Sequence, residues 1–219
     1  MIVFDVNETL SDLSPVGARF FAVGASASAA SAWFAGVLRD GFALTVAGAR
    51  PSFAEVAREG LVAALSQTNL NRPLDEAVEH VLAGLGELPV HPDVVSGINA
   101  LAERGHRLVT LSNGAASVAE SLLERAGIRD RFDQLLSVED ARAWKPSPRA
   151  YEFAGYALGV PHQEMTLVAV HPWDIDGASR EGLNTVWVNR TGGEYPGCFE
   201  KPAATVTGID ELPDLWPRA

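Results

Sequence analysis

Asp5 is the residue of this chain most directly equipped for chemistry. It closes a short apolar run, Ile2-Val3-Phe4, and polar Asn7, Glu8 and Thr9 follow it. The run reads as a buried strand. In a parallel sheet, residues just past the carboxyl end of a strand face the crevice where ligands bind. A carboxylate held there, on a turn with free backbone N–H groups, can attack an electrophile. An Asp after a strand also caps helices and forms turns, so Asp5 alone leaves both readings open. Further polar groups lie near the ends of other predicted strands: Ser112-Asn113, Lys145, and His171-Pro172-Trp173-Asp174-Ile175-Asp176. All of them are expected on one edge of a sheet.

The elements that would position them follow from the apolar pattern. Arg107 to Leu111 reads as a strand, with a polar turn at Ser112-Asn113-Gly114 and a helix running to about Ala126, where Gly127 is a stop. Gln134 to Val138 is a short strand, and Lys145-Pro146-Ser147-Pro148 opens a helix to about Leu158. Met165 to Val170, Thr185 to Val188 and Ala204 to Val206 are further strands before a terminal helix. Strands alternating with helices predict an α/β fold, a doubly wound, Rossmann-like parallel sheet. An Ala-rich stretch with apolar residues at helical spacing (Phe20, Trp33, Val37, Val56, Leu61) interrupts it after the first strand. The expected organisation is an α/β core from residues 1–12 and 88–219, with a helical cap, 13–87, over the carboxyl edge of the sheet.

Composition narrows the partners. A chain of 219 residues that is 47% hydrophobic and 21% charged can bury a sizeable core. Its 17 Lys and Arg against 28 Asp and Glu give a net charge of −11, which argues against nucleic acid and against an anionic membrane surface. A small anion can still be held locally by a lysine or a helix N-terminus. The single cysteine, Cys198, forms no internal disulfide and no multi-thiolate metal site. In its Gly/Pro-flanked loop it reads as a bystander. With no basic-then-apolar leader and no membrane-length apolar run, the expected location is cytoplasmic.

The chain resembles the haloacid dehalogenase superfamily, and within it the type II L-2-haloacid dehalogenases. The resemblance is carried by Phe4-Asp5-Val6-Asn7-Glu8-Thr9-Leu10, Leu111-Ser112-Asn113-Gly114, Leu135 to Asp140, Lys145-Pro146 with Tyr151, Trp173-Asp174, and Val188-Asn189-Arg190-Thr191-Gly192. It implies a hydrolase that cleaves the carbon–halogen bond of short 2-haloalkanoic acids without a cofactor or metal. Asp5 would displace the halide to form an ester, and water would then open that ester at the Asp5 carbonyl. Lys145 would keep Asp5 ionised; its plainer reading, a surface lysine at a helix start, is disfavoured by the positive end of the helix. Ser112 and Asn113 would hold the substrate carboxylate, or serve only as an N-cap. Thr9 would donate to Asp5 or the ester, or merely close the turn. Asp174 would balance Lys145 and orient water, or cap a helix. Val6, Asn7, Phe34, Tyr151 and Trp173 would contact substrate, although Tyr151 equally suits the core. Relatives of this kind are commonly homodimers, and the resemblance implies the same here.

The alternatives differ in chemistry. Phosphatases of the superfamily use Mg²⁺, a second Asp two residues after the nucleophile, and a further carboxylate in their fourth motif. Here the first position is Asn7, which cannot supply a proton, and the segment Ala169-Val170-His171 offers no carboxylate to complete a hard oxygen shell. A Mg²⁺-dependent phosphatase acting on a small phosphomonoester is therefore the second reading, and a non-catalytic binder of small carboxylates the third. The chain also departs from the dehalogenase pattern. The family's arginine after a tryptophan is absent at Trp33-Phe34-Ala35, with Arg39 about a turn further on, and its asparagine before Trp-Asp is His171. An imidazole can donate to a departing halide or serve as base for the hydrolytic water, or it can simply brace the strand end. Fluoride, a strong acceptor, would suit an imidazole donor, so fluoroacetate is included among the expected substrates.

Overall fold

Strands covered on both faces must be apolar throughout, and the central runs of this chain are. In the computed structural model, which describes residues 1–216, six strands form one sheet. They are β1 (Ile2–Phe4), β2 (Leu108–Ser112), β3 (Gln134–Ser137), β4 (Thr166–Ala169), β5 (Asn184–Val188) and β6 (Ala204–Val206). Their order is β3-β2-β1-β4-β5-β6, every pair parallel. All residues of β1 and β2 are buried. The winding reverses between β2 and β4, on either side of β1. In open α/β sheets such a switch point is where the ligand crevice opens, beyond the carboxyl ends of the strands. This is the doubly wound α/β fold that the strand–helix alternation predicts.

Ten α-helices accompany the sheet among the described residues. They are α1 (Val16–Ala22), α2 (Ala29–Val46), α3 (Phe53–Leu65), α4 (Leu74–Leu85), α5 (Val94–Glu103), α6 (Ala116–Arg125), α7 (Val138–Ala141), α8 (Pro148–Leu158), α9 (Pro172–Arg180) and α10 (Leu212–Leu215). The strand expected to run to Val138 stops at Ser137, whose hydroxyl accepts from the Glu139 N–H and starts α7. A four-residue helix carries too little periodicity to be read in advance.

Two compact units divide the chain, Met1–Ser11 with Pro89–Ala219, and Asp12–Leu88. The first is built on the sheet. Its hydrophobic cluster includes Phe4, Leu10, Ile98, Leu123, Val186 and Ile209, and Phe4 meets Phe132 edge-on at 6.0 Å. Here α5 crosses the 3-10 turn Ile209–Glu211 so closely that a Cβ on Gly97 would collide with the Ile209 carbonyl. Only glycine permits that approach. In the second unit α1 to α4 gather around aromatic residues. Phe20 packs on Trp33 at 5.8 Å, Phe34 on Phe53 at 6.3 Å, and the Trp33 indole donates to the Ala57 carbonyl at 3.1 Å. A full capping box, Ser52 with Glu55, opens α3. Arg19–Glu87 and Arg58–Glu79 ion pairs lie at its surface.

Candidate active site

The turn after β1 presents Asp5. Its N–H still belongs to the sheet, donating to the Val168 carbonyl at 3.0 Å, so the carboxylate emerges where β1 and β4 end. Asp5 is only 2% exposed. Its Oδ2 accepts from the Thr9 hydroxyl at 2.6 Å and its Oδ1 from Lys145 Nζ at 2.9 Å. Thr9 Oγ1 in turn accepts from the Val170 N–H at 3.1 Å, which ties the β1 turn to the end of β4. Between them Glu8 takes a left-handed backbone conformation, φ +61°, uncommon for a residue with a side chain.

Lys145 lies between α7 and α8 and is completely buried. Asn113, just past β2, clasps its backbone: Oδ1 accepts from the Lys145 N–H at 2.9 Å, and Nδ2 donates to the Lys145 carbonyl at 3.3 Å. The ammonium then reaches both Asp5 and Asp174, the latter at 2.6 Å to Oδ2. Asp174 is not the helix cap. That position is His171, and Asp174 sits in the first turn of α9, its other oxygen accepting from the Tyr151 hydroxyl at 2.6 Å. For Tyr151 to reach it, α8 and α9 must touch. A Cβ on Gly177 would come within 2.7 Å of both the Tyr151 hydroxyl and Pro146 Cβ.

These contacts set the charges. Burial pushes the Asp5 carboxyl up, but Lys145, His171 and the Thr9 hydrogen bond together outweigh it and leave Asp5 below the usual carboxylate range. Asp174 shares the same ammonium and goes the other way. Burial and the negative charge of Asp5 raise it more than Lys145 and Tyr151 lower it. In this coupled pair Asp5 is the group that ionises first as the pH rises. Burial disfavours the charged form of Lys145, yet the two carboxylates override it and raise its pKa. Burial first, then Asp174, lifts the Tyr151 phenol well above its ordinary value, so it remains a hydrogen-bond donor.

The other sequence-predicted residues are distributed as follows. Ser112 ends β2 and its Oγ accepts from the Gly114 N–H at 2.9 Å, which leaves its own O–H able to donate. Val6 turns its side chain into the hydrophobic cluster. The Asn7 carbonyl faces His171 Nε2 at 3.2 Å. A carbonyl can only accept, so Nε2 is the donor in this contact. The imidazole stacks on Trp173 at 4.8 Å, with Nε2 3.8 Å from Asp5 and 3.6 Å from Glu8. Phe34 belongs to the helical unit, buried between Trp33 and Phe53. Arg39, in the same unit, pairs with its neighbour Asp40 at 2.7 Å on the surface. No group of three or more His, Cys, Asp or Glu among the described residues is arranged to hold a metal ion. No helix among them is long and apolar enough to cross a membrane.

Glu8 and Arg190 stand out only in three dimensions. The Glu8 carboxyl is raised by burial first and by Asp5, against the opposing pull of His171. Arg190 reaches the backbone of Thr9. Both lie within stretches that carry the resemblance, but no local pattern discloses their partners.

Comparison with known proteins agrees with this geometry. Residues 1–182 match the family of haloacid dehalogenase-like hydrolases. (S)-2-haloacid dehalogenase 2 of Pseudomonas sp. (strain CBS-3) is 31% identical over 98% of this chain and 94% of its own. Haloacetate dehalogenase H-2 of Moraxella sp. (strain B) is 36% identical, over 57% of this chain and little more than half, 55%, of that protein. The solved structure of L-2-haloacid dehalogenase from Xanthobacter autotrophicus, with chloropropionic acid covalently bound, superposes with a TM-score of 0.89 at 25% identity, covering 98% of this chain and 96% of that one. The chain belongs to the haloacid dehalogenase-like hydrolases, in the branch of the (S)-2-haloacid dehalogenases.

Proposed function

We propose that this protein hydrolyses the carbon–halogen bond of short 2-haloalkanoic acids, without a metal or cofactor, through an ester on Asp5. The observation that carries the reading is the buried Asp5–Lys145–Asp174 cluster, in which Asp5 is the carboxylate held ionised. An Asp5 oxygen attacks the α-carbon of the acid opposite the halogen, and the halide leaves with the bonding electron pair. Water then adds to the Asp5 carbonyl carbon. The acyl–oxygen bond breaks, the 2-hydroxy acid departs with one proton of that water, and the other proton is released. Asp5 returns as a carboxylate carrying one oxygen from water. Lys145 stabilises the carboxylate before and after, and Asp174, steadied by Tyr151, keeps the ammonium in place. Ser112 and the start of α6 are suited to the substrate carboxylate, with a free hydroxyl donor and helix N–H groups.

Asn113 and Tyr151 support this reading as holders of Lys145 and Asp174. His171 has its Nε2 directed to Asn7, so a hydrogen bond to the departing halide, or acid–base work, falls to Nδ1. Fluoroacetate is included as a substrate because His171 stands where the family has an asparagine. His171→Asn should change fluoroacetate turnover more than chloroacetate turnover, and an equal change in both would remove fluoride selectivity from the account. The main test is halide release from chloroacetate, L-2-chloropropionate and fluoroacetate, with EDTA present, by wild type and Asp5→Asn. Release that survives EDTA and vanishes in the variant is expected. No release from any acid would favour the phosphatase reading and call for a Mg²⁺-supplemented phosphate-ester screen.

A further inference from the structure

Five successive carbonyls in the turn that carries Asp5 each have a donor. Val6 O accepts from Leu10 N at 2.9 Å, Asn7 O from His171 Nε2 at 3.2 Å, Glu8 O from His91 Nε2 at 2.9 Å, Thr9 O from Arg190 Nη2 at 2.8 Å, and Leu10 O from His91 N at 3.0 Å. The Arg190 contact is charge-assisted, and such bonds are about twice as strong as neutral ones. Arg190 follows the end of β5, and its other terminal nitrogen is anchored as well, while Nε is buried without a hydrogen-bond partner. Nη1 donates to Asp93 Oδ1 at 2.8 Å, while Asp93 Oδ2 accepts from the Ile209 N–H at 2.6 Å. Both side chains of that pair are mostly buried, 17% and 16% exposed. The contact falls next to Glu8, in its left-handed conformation, which persists only where the surroundings over-determine it.

We infer that Arg190 is a positioning residue for the nucleophile: by fixing the Thr9 carbonyl it aims the Thr9 hydroxyl at Asp5 Oδ2. The route is short. Thr9 is joined to Arg190 through its backbone and to Asp5 through its side chain, so a shift of the Thr9 backbone would carry the hydroxyl away from Asp5. Misplacement by about 1 Å can cost a hundredfold in rate. Arg190 touches no reacting atom. Its effect is on the direction from which Asp5 is held.

The inference rests on Asp5 as nucleophile, and the experiment separates the two. Wild type, Asp5→Asn, Thr9→Val, Arg190→Gln and the Thr9→Val/Arg190→Gln double variant are compared by chloroacetate turnover. The ¹³C shift of the Asp5 carboxyl at neutral pH, assigned by its absence in Asp5→Asn, is read alongside. Arg190→Gln should lower kcat by about 10- to 100-fold with KM within about threefold. It should move the Asp5 carboxyl signal in the direction that Thr9→Val moves it. In the Thr9→Val background it should add nothing to either effect. The same loss of kcat in both backgrounds, or an unmoved Asp5 signal, would overturn the inference. If Arg190→Gln does not fold, Asp93→Asn loosens the same fork and should reproduce both effects in weaker form; a normal Asp5 signal there would count against the role. Turnover that survives in Asp5→Asn would instead overturn the nucleophile, and the carboxyl shift would still decide whether Arg190 acts through Thr9.

Discussion

Lys145 serves two buried carboxylates with one ammonium, 2.9 Å from Asp5 and 2.6 Å from Asp174. Taking the cation away leaves two uncompensated buried charges. Lys145→Met should therefore abolish halide release and destabilise the fold by about 3–5 kcal/mol at neutral pH. The deficit should depend on pH in a definite direction. Without Lys145, both carboxyl groups lose the largest effect that opposes burial, so their folded pKa values rise. Such groups favour the folded state when protonated and lose that contribution as pH rises through the folded pKa. The gap between variant and wild type, measured by urea denaturation, should shrink from pH 7.5 towards pH 5. A constant gap would contradict the charge assignment. Tyr151→Phe is a finer probe. It removes the hydroxyl that donates to Asp174 and should cost about 1–3 kcal/mol, the desolvation of an acceptor left unpaired. Turnover should fall while the α/β circular dichroism is retained.

At the scale of elements, the site depends on how closely α8 and α9 pack. Gly177→Ala would put a methyl group against Pro146 and the Tyr151 hydroxyl. Overpacking of this kind costs about 1–3 kcal/mol, and here the group that must yield holds Asp174. The variant should lose activity out of proportion to its drop in Tm; normal turnover would mean that Tyr151 is not needed where it sits. Nothing in the local sequence marks Gly177, because its neighbours Pro146 and Tyr151 lie 31 and 26 residues away along the chain. Asp5 and the strand ends were legible because an apolar run that stops on polar residues has few other interpretations. Lys145 and Asp174 were legible through the family resemblance, and the geometry joins them. The Asn113 clasp, the Glu8–His171 approach and the Arg190 fork were not legible: each joins residues that only the fold brings together.

Across the whole molecule, the chain leaves the sheet-bearing unit at Ser11 and returns at Pro89, and Ser11 is bridged to Val90. The hydrophobic cluster on the sheet draws its residues from Ile2–Leu10 and Val94–Leu212, with none from 12–88. A chain with residues 12–88 replaced by a short Gly/Ser linker should therefore fold cooperatively with an α/β circular dichroism spectrum. Failure to fold would show that the sheet needs the helical unit. The net charge of −11 makes the buried Lys145 all the more consequential, since the field of the whole protein repels an anionic substrate. A haloacid would bind against that field, so its KM should fall as ionic strength rises.

The most direct test of the central claim is a single turnover in H₂¹⁸O with enzyme in excess over chloroacetate, followed by mass analysis of the peptide containing Asp5. An aspartyl ester opened at its carbonyl predicts ¹⁸O in the Asp5 carboxylate and unlabelled oxygen in the first glycolate formed. Label in the glycolate, with none on Asp5, would mean that water attacks the α-carbon directly and that Asp5 is not the nucleophile.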